Sequence, residues 1–254
     1  MVNKTCRLTY YSTTQDLGGN GSQYGFSYDT DFNLVQATAF TLQDYKGVTV
    51  KIGPSGINRN NGASVVAYIY PVNIYTENPS FANYTLAATG TEKRLENYKY
   101  DDKKRLVEVD ITDAITGAGL NQIYYRYDDN DNNVQTYYTG GNSKAILTVS
   151  AKYDDHPSAY INIPGRKFMH WIEVFEVWNT DFRFTFDMMS AHNILEWEQI
   201  KLDQAGIAIG SYKATFVYTY ARTTGRPETR VESYYDDGVL KGTYKETFSY
   251  TDCD

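Results

Sequence analysis

Histidine, cysteine and proline are scarce in this chain: three, two and six among 254 residues. Each shortage removes chemistry. His156, His170 and His192 show no metal-type pair spacing, and the cysteines are remote from them in sequence, so no zinc-like donor set forms. Ser190 adjoins the His192 region, but no G-x-S-x-G elbow surrounds it, and no Gly-rich phosphate loop occurs. No cofactor is implied. Basic residues are also in the minority, 24 Lys and Arg against 31 Asp and Glu, for a net charge of −7. They are scattered, which removes the basic footprint that nucleic acid or an anionic lipid surface requires. No apolar run reaches 18 residues, so no transmembrane helix is encoded. The opening Met1-Val-Asn-Lys-Thr-Cys6 has no apolar stretch of the signal-peptide kind.

Tyrosine is abundant instead, at 25 residues. Its ring packs while its hydroxyl reaches water or a partner, which suits half-wet strands. Much of it lies in a repeat. Tyr98-Lys-Tyr100-Asp101 leads to Leu106-Val107; Phe26-Ser-Tyr28-Asp29 leads to Leu34-Val35; Tyr125-Arg-Tyr127-Asp128 leads to Asn133-Val134; Tyr218-Thr-Tyr220 leads to Arg226-Pro227. From the second tyrosine to the last residue the step is seven in every copy. Aromatics two apart share one face of a strand. Asp, Asn, Lys and Gly then supply a turn, and the alternation restarts on a return strand. Each copy predicts an antiparallel hairpin, with turns at Asp29–Asn33, Asp101–Arg105, Asp128–Asn132, Ala221–Arg226 and Asp236–Gly238.

These hairpins resemble the YD repeats of Rhs-type proteins. The chain more closely resembles a family of exported Bacteroides-type proteins of unknown function with a porin-like β fold. That likeness rests on Cys6-Arg7-Leu8-Thr9, the tyrosine–aspartate hairpins, Tyr153-Asp154-Asp155-His156-Pro157, Ser190-Ala-His-Asn193 and the closing Tyr218…Gly225-Arg-Pro227 hairpin. It implies export, to the periplasm or the outer-membrane-anchored surface, with a signal and a possible lipid anchor upstream of Met1. It assigns no catalytic residue. The segment Gly47 to Asn83 departs from the hairpin pattern. Within it, Ile57-Asn-Arg-Asn-Asn-Gly62 reads as a loop and Asn73 to Asn83 as irregular.

From Pro157 to His192 the two-residue period breaks. Phe168-Met-His-Trp171-Ile-Glu-Val-Phe175-Glu-Val-Trp178 is apolar on both faces, and positions 168, 171, 172, 175 and 178 form a helical stripe. Phe182-Arg-Phe184-Thr-Phe186 alternates again. Strand and short helix both fit such a run. The reading is an irregular or partly helical excursion near 157–192, lying across or plugging the sheet. The expected fold is all-β: a single domain over 1–254, about a dozen antiparallel up-and-down strands, forming a strongly curved sheet or closed barrel. Cys6 and Cys253 sit near opposite ends of the chain and read either as an end-to-end disulfide or as two free thiols. Closure would bring first and last strands together, with α-carbons roughly 4.4–6.8 Å apart if bridged.

Asp128 to Asn133 has the oxygen-rich look of a calcium loop. Counted from Asp129, however, an EF-hand would need Glu where Gly140 stands and Gly where Val134 stands, so a solvated turn is the better reading. No metal is expected. Trp171, Trp178 and Trp197 cluster in one quarter of the chain, either as an aromatic platform for a glycan or peptide or as core; Trp178 or Trp197 is expected at a pocket rim. Lys99, Arg105, Glu108, Asp110, Arg126 and Lys152 recur through the hairpins, where a bilayer-spanning barrel needs an uncharged outer band. The expected function is a non-enzymatic, exported binding module that does not span the membrane. The alternatives are a glycan-active enzyme using unassigned carboxylates and a structural or assembly protein.

Overall fold

The computed structural model describes residues 6–15, 22–41, 47–60, 65–87, 91–140, 145–164, 166–169, 183–203, 206–251 and 253. Among them are sixteen strands and two short helices. The first eight strands are β1 (Arg7–Gln15), β2 (Ser22–Tyr28), β3 (Leu34–Thr41), β4 (Gly47–Gly53), β5 (Gly56–Asn60), β6 (Val65–Ile69), β7 (Phe81–Ala87) and β8 (Thr91–Tyr100). The next four are β9 (Leu106–Asp113), β10 (Gly119–Tyr127), β11 (Asn133–Gly140) and β12 (Ala145–Pro157). Helices α1 (Arg166–Met169) and α2 (Arg183–Met189) follow, then β13 (His192–Leu202), β14 (Ala208–Tyr220), β15 (Pro227–Asp236) and β16 (Val239–Thr251). Every strand pairs antiparallel with its neighbours in the chain, and β1 closes on β16 to make a barrel. Closure leaves no unpaired edge.

Sixteen strands exceed the expected dozen, and part of the shortfall lies in the segment that departed from the repeat. Ile57–Asn60, read from sequence as the start of a loop, belongs to β5, paired on both sides. Asn58 and Asn60 point to solvent. A strand flanked by two partners tolerates poor β-formers on its wet face, since ladder bonds and the inward Ile57 decide the conformation. Phe81 to Asn83, read as irregular, opens β7. Cys6 and Cys253 form a disulfide with α-carbons 4.3 Å apart, at the seam where β1 meets β16.

Strand alternation sorts the two faces. Inward go Leu8, Phe26, Val50, Ile52, Tyr68, Tyr84, Tyr98, Val109, Ile123 and Tyr125, which form one buried cluster. Val149, Ala151, Ile194, Trp197, Ala214 and Phe216 form a second cluster on β12, β13 and β14. Outward go many polar side chains, among exposed apolar ones such as Ile69, Leu195 and Val217. Lys99 bonds Glu108 across β8 and β9 at 2.7 Å. Lys152 and Lys213 hold the two oxygens of Glu196 at 2.9 and 2.6 Å across β12, β13 and β14.

The turns divide the barrel into two rims. One rim, called here the plugged rim, carries Asp29–Asn33, Pro54-Ser55, residues 70–80, Asp101–Arg105, Asp128–Asn132, Ala221–Arg226 and the disulfide. The excursion between β12 and β13 folds into this rim. Its Ala159, Tyr160, Ile163, Met188 and Met189 join the first cluster, and Phe186 joins the second. The excursion, expected to be irregular or partly helical, carries the short helices α1 and α2. Phe186 through Ser190 are all buried, so this stretch shows no wet face whose period the sequence could report.

Candidate functional site

The site is built from one repeated turn. In Asp29–Asn33, Asp101–Arg105 and Asp128–Asn132 the first and fifth residues pair through the main chain at 3.0 Å each. The fourth residue is left-handed: Phe32 at φ 67°, Lys104 at 62°, Asp131 at 63°. This is the three-residue hairpin loop closed by a left-handed residue. The aspartate holds it. Asp29 Oδ1 accepts from the N–H of Asp31 and Asn33 at 2.9 Å each, and Asp128 Oδ1 does the same for Asn130 and Asn132 at 2.9 Å. The Asn33 N–H accordingly holds the Asp29 carboxyl below its ordinary pKa.

The second tyrosine of each repeat reaches to a neighbouring hairpin. Tyr28 OH donates to Leu8 O at 2.7 Å, Tyr100 OH to Pro79 O at 2.7 Å, and Tyr127 OH to Leu106 O at 2.9 Å. Tyr153-Asp154 is a further copy with a very long turn. Tyr153 OH donates to Asn133 O at 2.6 Å. Asp154 Oδ1 accepts from His156 N–H at 2.9 Å, as in the short turns, and then from Asn193 N–H at 3.2 Å. The plug is thus an enlarged hairpin turn, and the Ser190…Asn193 element closes it. Ser190 Oγ donates to Tyr153 OH at 2.8 Å and accepts from Asn133 N–H at 3.0 Å. His192 bonds Asn132 Oδ1, and the His156 ring stacks on Tyr220 at 4.0 Å. These histidines and Ser190 are joinery.

Between the plug and three successive turns lies a cavity of 380 Å³. Small-molecule sites occupy roughly 300–1,000 Å³. Ile74, Leu106, Ile163, Met188 and Met189 make an apolar floor, all buried. Tyr75 and Tyr127 stand at the sides with their hydroxyls committed to Leu34 O and Leu106 O, leaving ring surface to the cavity. Lys104, Arg105, Arg166 and Lys167 supply cations, against the acids Glu77 and Asp131.

The acids are largely spoken for. Arg105 bonds Asp101 at 2.7 Å and Asp131 at 2.9 Å, and Lys103 reaches Asp131 at 3.5 Å. Burial alone would lower the Arg105 pKa, but these carboxylates raise it. Arg166 instead donates to main-chain oxygens, Ser190 O at 2.6 Å and Asp187 O at 3.4 Å. Burial, aided by the nearby Arg226 charge, pushes its guanidinium down to about 10. Lys167 donates to Asn78 Oδ1 and lies 5.6 Å from the Tyr100 ring centre. Burial, then Arg166, pushes its ammonium down to about 8. Arg226 is buried beneath the plug, with NH1 on Ser158 O at 2.7 Å and Nε and NH2 unpartnered.

Trp197 is not among the residues that line this cavity. Trp197 is 1% exposed in the β12–β14 cluster, so its expected place at a rim gives way to a place in the core. A bulge at the exposed Leu195 breaks the alternation of β13, so that Ile194 and Trp197, three apart, share the inward face. Trp171 and Trp178 lie outside the described residues, as do His170, Ile172 and Phe175. The cavity cations went unnoticed in the sequence because two segments far apart in the chain, Lys104-Arg105 and Arg166-Lys167, supply them. Arg166-Lys167, a basic pair inside an otherwise apolar excursion, was the available signal. Among the described residues no group of His, Cys, Asp and Glu is arranged to hold a metal.

No protein-family model matches the chain, and no curated protein matches it. Solved structures do. A porin-like protein from Bacteroides uniformis superposes with a TM-score of 0.61 at 11% identity, covering 96% of each chain. A porin-like protein from Bacteroides vulgatus gives 0.55 at 11% identity, covering 97% of this chain and 99% of the other. At such identity the likeness is one of fold: this chain shares the closed antiparallel barrel of the porin-like Bacteroides structures.

Proposed function

We propose that the chain is an exported, non-enzymatic envelope module that binds a ligand at its plugged rim and does not span the bilayer. The observation that carries the reading is the sidedness of the barrel. A membrane barrel presents an apolar band roughly 25 Å tall to lipid and keeps polar groups inside. Here tyrosine, leucine and isoleucine side chains fill most of the interior around the buried Arg230–Asp187–Glu246 charges, and the Lys152–Glu196–Lys213 network sits on the outer wall. The described plug residues fill that end of the lumen, and the rim cavity beside them is a surface available for recognition. Export is supported by the Cys6–Cys253 disulfide, a bond favoured in oxidising compartments, and by the porin-like Bacteroides folds it matches.

The test has two arms. Purified without detergent, the chain is expected to stay monodisperse, to stay off floated liposomes and to add no conductance to a planar bilayer. A panel of glycans and peptides is expected to contain at least one member that raises the thermal midpoint. Step conductance would overturn the water-facing reading, and a silent panel would overturn the binding reading.

A further inference from the structure

We propose that the rim cavity takes a small sugar acid, with its carboxylate on Arg166 and Lys167 and its ring over the floor of Ile74, Ile163 and Met188. The inference rests on the reading of this rim as a binding surface and adds the chemical class of the ligand. Charge is the first argument. The whole chain carries −7, yet with the mutually bonded Arg105 and Asp131 set aside this cavity's lining gathers Lys104, Arg166 and Lys167 against Glu77. The hydrogen bonds of Arg166 go to neutral carbonyls. The Asp187 carboxylate that lies near it is bonded to Arg230 at 2.8 Å. A half-buried guanidinium so placed gains from a carboxylate, which it can bind with two parallel N–H donors.

Arg226 adds a second argument. It is 1% exposed, and two of its nitrogens have no partner, so positive charge stands behind Arg166 without a bonded carboxylate among the described residues. Its burial lowers its pKa, as expected for a cation in a dry, positive setting. Shape supplies the third argument. A floor of Ile74, Ile163 and Met188 together with the rings of Tyr75 and Tyr127 suits the C–H faces of a pyranose. A bare inorganic anion would leave that floor uncovered.

Isothermal titration calorimetry of the full chain at low ionic strength, with glucuronate, glucose and inorganic sulfate, tests this. Glucuronate is expected to bind at least tenfold more tightly than either glucose or sulfate, and to weaken with added salt. Lys167→Gln and Arg166→Gln are each expected to weaken glucuronate at least fivefold, and Lys99→Gln on the outer wall to leave it unchanged. Since Arg166 also ties the plug, Lys104→Gln serves as a variant with an exposed side chain and is expected to weaken binding about threefold. Glucose binding as tightly as glucuronate would overturn the anion assignment while leaving the binding module intact. Sulfate binding as tightly as glucuronate would overturn the sugar assignment. Glucuronate binding that ignores all three cavity variants would overturn the site, and silence from all three probes would overturn the sugar-acid class, the wider panel deciding separately whether the module binds at all.

Discussion

Replacing Arg230 with methionine would take a guanidinium from two buried carboxylates at once. Arg230 NH1 bonds Asp187 at 2.8 Å, its Nε bonds Glu246, and all three residues are nearly inaccessible to water. Tyr218 OH lies 3.1 Å from NH1, and the rings of Phe216 and Phe248 enclose the guanidinium. Burial by itself would lower the Arg230 pKa, and the two carboxylates more than reverse that. Removing one partner of a buried pair costs about 3–5 kcal/mol, whereas replacing the whole set by apolar groups is often neutral. Urea denaturation of Arg230→Met is therefore expected to show a loss of that size. A triple replacement, with Asp187→Leu and Glu246→Leu added, is expected to recover most of it; a loss below about 1 kcal/mol for the single variant would mean the network is not dry. None of this was legible in the sequence, because lone charges in strands read as solvated. The trace that existed is Tyr244, Glu246, Phe248 and Tyr250, one alternating row in which Glu246 shares the inward face of aromatics.

Asp154 does for the plug what Asp128 does for a five-residue turn. The same carboxylate oxygen takes the N–H two residues on, and the second N–H comes from Asn193, across an insertion of more than thirty residues, rather than from the fourth residue. Its other oxygen accepts from Tyr220 OH and from Asn193 Nδ2 at 3.4 Å. Hydrogen bonds to a charged group contribute about 1.5–3 kcal/mol each when buried, less where water can replace them. Asp154→Ala is thus expected to speed amide hydrogen exchange through the described plug residues 158–164 and 183–190, with β8 to β11 unchanged. Asp128→Ala is expected to affect its own hairpin alone, and equal exchange in both variants would contradict the anchoring role. The repeat itself was readable because its aspartate, its tyrosine and its step of seven are local. Where the partner residue lies beyond the insertion, as Asn193 does, spacing no longer reports the pairing. The elements Tyr153–Pro157 and Ser190–Asn193 were visible as motifs, but their common turn was not.

At the scale of the barrel, alternation told which face of each strand is wet, and closure followed from chain-neighbour pairing, while the strand number did not. Short strands such as β5 owe their conformation to two partners rather than to their own residues. Packing a barrel with tyrosine has a consequence in alkali. Burial pushes Tyr75 and Tyr234 up to about 12, with Asp29 and Tyr212 adding to the respective shifts. Burial raises Tyr28, Tyr98, Tyr125, Tyr153 and Tyr218 further. An unfolded tyrosine ionises near pH 10. Between that pH and the folded values the native state holds more protons than the unfolded chain, so stability falls as pH rises. Below pH 10 this contribution is fully present, and for Tyr75 and Tyr234 it is spent by about pH 12. With several rings acting together, the barrel is expected to open in one cooperative alkaline transition. Tyrosinate absorbance of the buried rings and loss of strand circular dichroism should share a midpoint above pH 10. If those rings ionise at an ordinary midpoint while the strand signal persists, water reaches the interior freely, and the sidedness on which the water-facing, plugged reading depends is wrong.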